Sequence, residues 1–141
     1  MNIKYFLLHN HEKKMTMQVW FYSAIYRIYI KFKEPKDLEK YWGARNEESS
    51  QDVEMAQYNY ARRVAVHVNE SCKNTPWESK CLVRAWTAMT LLKKAGIPTT
   101  MYLGVGREEN KMVAHAWLRC GKIYVTGGKG ENYAIVAKFR N

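Results

Sequence analysis

The chain has 141 residues and a mass of 16.6 kDa, 47% hydrophobic and 26% charged, which is the make-up of one ordinary globular domain and excludes a disordered chain. Lys and Arg number 23 against 13 Asp and Glu, and the formal charge of +10 points to an acidic partner: nucleic acid, a membrane surface, or a peptide or protein. Cys72, Cys81 and Cys120 are too few and odd in number, which excludes a disulfide-stapled secreted scaffold and leads us to expect a reduced, cytoplasmic protein.

The opening MNIKYFLLHNHEKK holds an apolar run too short for a signal-peptide core, and no small-residue cleavage site follows it. Residues 15–33 set Val19, Tyr22, Tyr26 and Tyr29 at three- and four-residue steps, with Trp20, Phe21, Ala24, Ile25 and Ile28 beside them. That spacing predicts a broadly apolar helix, packed on its own domain or offered to a partner or a membrane surface. Gln18, Ser23 and Arg27 interrupt it, and it falls short of the roughly 20 apolar residues of a spanning helix, so no transmembrane segment is expected. Pro35 stops the helix, and KDLEKYWGARNEESSQD reads as a short helical turn followed by a polar linker.

A second helix is expected from Asp52 as N-cap, with Met55, Tyr58, Ala61, Ala65 and Val68 at helical spacing and a fade near Asn69. Ser71–Lys80 reads as a loop. A third helix, about Lys80 to Lys94, sets Leu82, Ala85, Met89 and Leu92 on one face, with Lys93 and Lys94 in its last turn and Gly96 as a C-cap. After Pro98 the pattern changes to four short runs: TTMYLGVG, KMVAHAWLRC, KIYVTGG and NYAIVAKF. Glycine-bearing or charged turns separate them, and they predict consecutive antiparallel strands joined as a meander. The fold class is therefore α+β, with helices first and an antiparallel sheet packed on them. We divide it into a helical arm and linker, 1–51, and a core, 52–141. Residues 55–141 hold fourteen basic and five acidic side chains, so the positive charge lies mainly in the core.

Cys81 stands at the start of the third helix, where unpaired N–H groups and the helix dipole favour a thiolate. His115 is centred in the strand Val113-Ala114-His115-Ala116-Trp117. A packed cysteine and a structural histidine are the ordinary readings of such positions, yet opposite one another they make an activated nucleophile. Zinc would need Cys72, Cys81, His115 and Cys120, whose spacings fit no zinc module; His115 and Cys120, five apart on a strand, point to opposite faces. We expect no metal and no other cofactor. The aromatic residues follow core periodicity and no nucleic-acid module appears, so nucleic acid is not the expected partner. Gly127-Gly128-Lys129-Gly130 is followed by no helix that would make it a phosphate loop.

Pro76-Trp77, Lys80-Cys81-Leu82-Val83-Arg84-Ala85, Leu91-Leu92, Gly96-Ile97-Pro98, Leu103-Gly104-Val105 and Ala114-His115-Ala116-Trp117-Leu118 together resemble the cysteine-peptidase subunit of bacterial lasso-peptide maturation systems. That family is a branch of the transglutaminase-like, papain-related proteases, and the resemblance covers about residues 55–139. It implies a thiol protease that removes the leader peptide from a ribosomally made precursor. A small leader-binding protein presents the substrate, and the lasso cyclase is a further candidate partner. On that pattern Cys81 is the nucleophile and His115 its base, with the Cys81 backbone N–H and the Trp77 indole N–H as oxyanion donors.

The chain departs from the family in one place. Members usually carry an aspartate about a dozen residues after the histidine, to orient the imidazole; here Lys122–Gly128 contains no acid. Thr126 occupies roughly that place, and we expect its hydroxyl to be the orienting third member unless Asp37, Asp52 or Glu131 reaches in from elsewhere. Two other outcomes stay open: an amidotransferase of the same fold that passes the acyl group to an amine, and a non-catalytic basic adaptor of the processing complex.

Overall fold

A computed structural model describes residues 13–141. The N-terminal stretch read above against a signal peptide lies mostly outside the described residues. Helix α1 (Lys13–Phe32) contains neither proline nor glycine and buries Met15, Val19 and Ser23 along one side. Tyr22, Tyr26, Tyr29 and Ile30 pack against the same core, Tyr26 and Tyr29 across the indole of Trp86. The helix gives way before α2 (Pro35–Leu38) and a 3-10 turn at Glu39–Tyr41. No described helix is long and apolar enough to cross a membrane.

The polar stretch that follows is built into the sheet, which corrects its reading as a linker. Strand β1 (Ala44–Arg45) pairs antiparallel with residues 139 and 140. Ser49 is buried, and both its N–H and its hydroxyl lie 2.8 Å from Thr100 Oγ1. Glu48 accepts a short hydrogen bond from the Tyr102 hydroxyl. Polar residues here serve buried partners, a role that composition does not reveal.

Helix α3 (Met55–Ser71) starts later than Asp52. Its N-cap is Glu54, in a reciprocal capping box with Gln57, whose side chain accepts the Glu54 N–H at 3.1 Å. Helix α4 (Cys81–Lys94) is the centre of the molecule, burying Val83, Ala85, Trp86, Thr87, Ala88, Met89, Leu91 and Leu92 around most of its circumference. Its end is as expected: Gly96 adopts φ +74°, its N–H bonds to the Lys93 carbonyl, and the Ile97 N–H reaches back to Leu92. Those two bonds satisfy carbonyls that the last turn leaves open.

The sheet is antiparallel throughout, formed by β1, β2 (Thr100–Glu108), β3 (Lys111–Cys120), β4 (Ile123–Thr126) and β5 (Ala134–Arg140). α4 packs on the β2–β3–β4 side of it, with α1 and α3 around α4. The two-residue turn Glu109-Asn110, both at positive φ, joins β2 to β3 in register. The strand order is β1-β5-β2-β3-β4, so the meander holds only from β2 to β4. β5 does not lie beside β4. The segment 127–133 carries the chain back across Trp117 and inserts β5 between β1 and β2, which gives central β2 a partner on each edge.

Candidate active site

Cys81 is the first residue of α4 and is half-buried. The N-cap, Lys80, contributes no side-chain hydrogen bond, so the first N–H groups of the helix keep their positive partial charge next to the thiol. The loop before it is tied by side chains: Thr75 Oγ1 donates to the Trp77 carbonyl at 2.9 Å and meets Ser79 Oγ at 2.8 Å. Arg84 Nε then bonds the Ser79 carbonyl at 2.9 Å. Cys72 and Cys120 are buried, and burial pushes both thiols above their ordinary range. Of the three, Cys81 is the one that solvent reaches.

His115 lies in the half of β3 that faces solvent. Its Nε2 is 2.7 Å from the carbonyl oxygen of Gly127. A carbonyl only accepts, so Nε2 is the donor, and in the neutral form of the ring the lone pair is at Nδ1. The ring stacks on Tyr133, with centroids 4.6 Å apart, and lies 5.7 Å from Trp117 on the same strand. Gly127 is at φ +77°, and a Cβ there would come within 2.5 Å of the Ala116 carbonyl. Only glycine lets the chain turn so tightly over β3 and aim its carbonyl at the imidazole.

Tyr133 is the ring stacked on that imidazole. Its hydroxyl donates to Glu108 Oε1 at 2.9 Å, and that bond, followed by burial, holds the phenol above its usual range. The negative charge of Glu108 adds to the rise.

Two expected residues are placed otherwise. Thr126 is buried and its hydroxyl has no hydrogen-bond partner; the bond to His115 comes from the backbone one residue later. Trp77 spends its single N–H on Ser23 Oγ of α1, at 3.0 Å, and its ring packs edge-on against Trp20. It cannot donate to an oxyanion without breaking that bond. Gly127 and Tyr133, which the sequence reading did not single out as site residues, are the groups that surround the imidazole. The glycine cluster 127–130 was the signal for the first, because three glycines in four residues mark a backbone that must approach something closely.

A family model described as the transglutaminase-like superfamily matches residues 38–138, well over half of the chain. Neither the curated proteins nor the solved structures yield a match.

Proposed function

The chain belongs to the transglutaminase-like superfamily, which generally includes cysteine-based enzymes, and from that premise we propose that it is a cysteine peptidase that removes the leader peptide from a ribosomally made lasso-peptide precursor. One observation carries the reading: a cysteine that solvent reaches heads α4 with no side-chain cap, and the imidazole of His115 is oriented through Nε2 by the Gly127 carbonyl.

Cys81 Sγ gives its proton to His115 Nδ1, and the thiolate attacks the scissile carbonyl. The Cys81 backbone N–H, at a helix start without a side-chain cap, donates to the developing oxyanion. As the C–N bond breaks, the imidazolium returns the proton to the departing amine, which leaves a thioester. Water, deprotonated by the same imidazole, then releases the leader carboxylate and restores the thiol. The Gly127 carbonyl orients the ring as a carboxylate would but carries no net charge, so it stabilises imidazolium less. The consequence is a slow but competent dyad.

The leader-binding protein docks on α1. Met17, Phe21, Ile28 and Phe32 are exposed, the last at 76%, and steps of four, seven and four set them along one side of the helix. The helix sequence holds four cationic side chains, Lys13, Lys14, Arg27 and Lys31, and no acid. Arg27 is paired with Glu78, and the three lysines beside an apolar ridge fit an apolar groove with an acidic rim. Affinity between the two proteins falls with added salt under this reading, and a salt-independent affinity would remove its electrostatic part.

Iodoacetamide labelling read by peptide mass from pH 5 to 9 tests the nucleophile. Cys81 should label ahead of Cys72 and Cys120 near pH 6, and His115→Ala should abolish that lead. With the precursor and its leader-binding protein supplied, Cys81→Ala should end cleavage. Product mass separates hydrolysis, which adds water, from transfer to an amine. Cleavage that survives Cys81→Ala would leave the adaptor reading.

A further inference from the structure

A pocket of about 120 Å³ opens beside Cys81, between the start of α4 and the flank of α1. Ile30, Leu82 and Val83 give it apolar walls. Arg27, Glu78 and Lys80 stand around them, and the carboxylate of Glu78 is shared by both cations, 3.2 Å from Arg27 and 2.6 Å from Lys80. We propose that this pocket is a side-chain subsite of the cleavage site, that it takes one small uncharged side chain next to the bond attacked by Cys81, and that α1 sets its size through Ile30 and Arg27. This deepens the peptidase reading and rests on Cys81 being the nucleophile.

The volume decides what fits. At about 120 Å³ it suits a short aliphatic side chain better than an indole. The walls decide the chemistry. Ile30, Leu82 and Val83 offer no side-chain hydrogen bond, so the inner walls favour an apolar group over a charged one. At the rim two cations face one carboxylate, and that excess positive charge also opposes lysine and arginine.

The wall from α1 is fixed rather than incidental. Ser23 holds the Trp77 indole at 3.0 Å, Trp20 packs edge-on against the same ring, and Arg27 holds Glu78, so three residues of one helix grip the loop that leads to the nucleophile. α1 precedes residue 38, where the family match begins. Selectivity is therefore supplied by an element added in front of the shared core, while the chemistry stays inside it.

The test uses the full chain and a series of N-acetyl amino-acid chloromethyl ketones bearing Ala, Val, Leu, Phe, Trp or Lys side chains. Each alkylates a thiolate by forming an S–C bond and expelling chloride, so no precursor is needed. The rate at Cys81, read by peptide mass, is divided by the iodoacetamide rate at the same residue. The Val and Leu reagents should exceed the Trp and Lys reagents by about tenfold or more. Ile30→Trp, which fills the pocket, should collapse that ratio, and Ile30→Ala, which enlarges it, should raise the relative rate of the Phe reagent. Opposite shifts from two changes at one position are not a signature of misfolding. A flat profile in the wild type, or a profile that neither variant moves, overturns the subsite while leaving the nucleophile intact. A Cys81 that iodoacetamide labels no faster than Cys72 and Cys120 removes the nucleophile and this subsite with it.

Discussion

His115 and Arg119 stand four residues apart on the same strand and are held in opposite ways. Arg119 lies in the buried half, where its guanidinium donates to the Tyr102 hydroxyl, to Thr100 Oγ1 and to the carbonyls of Ser49 and Gly121. His115 lies in the open half, with one bond at Nε2 and its other nitrogen presenting a lone pair. A saturated side chain ties elements together and has nothing left to give. An oriented side chain with one valence spare can do chemistry. The boundary between scaffold and site therefore runs across the middle of β3 rather than between elements.

The largest effect expected from breaking this contrast is at His115. His115→Ala should lower leader cleavage about 10³-fold, with a stability change of about 1 kcal/mol or less in urea unfolding, because the residue lies in the open half of the strand. Arg119→Met should do the reverse. It leaves the Ser49 and Gly121 carbonyls without their donor in a buried network and should cost about 3 kcal/mol in the same unfolding experiment, with cleavage per folded molecule intact. Comparable losses of activity from both variants would erase the distinction.

Gly127→Ala tests whether backbone geometry orients the imidazole. The forced positive φ and the close Ala116 carbonyl should cost about 1–3 kcal/mol, and the displaced carbonyl should slow Cys81 alkylation at pH 6 about tenfold. Alkylation at the wild-type rate in a protein of measurably lower stability would show that the carbonyl does not set the ring.

The Arg119 end also has a pH signature. The Tyr102 hydroxyl bonded to Glu48 holds that carboxyl below its ordinary range, helped by Lys138 and by the charge of Arg119. The folded value lies below the unfolded one, so the contribution is complete above the ordinary carboxylate value of about 4.3 and is lost as pH falls through the lowered one. Glu48 is half-exposed, which limits the effect to less than about 1 kcal/mol. Glu48→Gln should flatten the acid limb of stability against pH, and an unchanged limb would assign it to other carboxylates. The smallest effect is at Tyr133. Tyr133→Phe keeps the stacked ring and loses only the exposed bond to Glu108, so Cys81 labelling should change by less than about twofold.

Much of the fold was legible where one local signal sufficed. Lys93, Lys94 and Gly96 marked the end of α4, and the alternation in KMVAHAWLRC marked β3. The same held for Cys81 at a helix start and His115 mid-strand, since each position follows from its neighbours in sequence. What stayed hidden depends on distant partners or on the backbone. The Ser23 that occupies the Trp77 indole is 54 residues away. The group bonded to the His115 ring is a carbonyl, which every residue has, so no side chain announces it. Thr126 looked suitable because it bears a hydroxyl, but on the strand its side chain turns into the core. β5 was placed beside β4 because nearest-neighbour strands are the default, and only the close passage of Gly127 and Gly130 over Trp117 reveals the return.

That return has a bearing on how the protein is made. β5 is the last strand along the chain, yet it sits between the first and the second, and Ala44 and Arg45 pair with residues that emerge from synthesis some ninety-five positions later. Closing so long a loop carries an entropic cost that no hairpin bears, and folding slows as contacts become less local. A nascent chain can zip β2, β3 and β4 in order, but β1 has no partner until β5 arrives. Until then the apolar edge of β2 is exposed, which makes the period before β5 docks the one most open to aggregation and to chaperone capture.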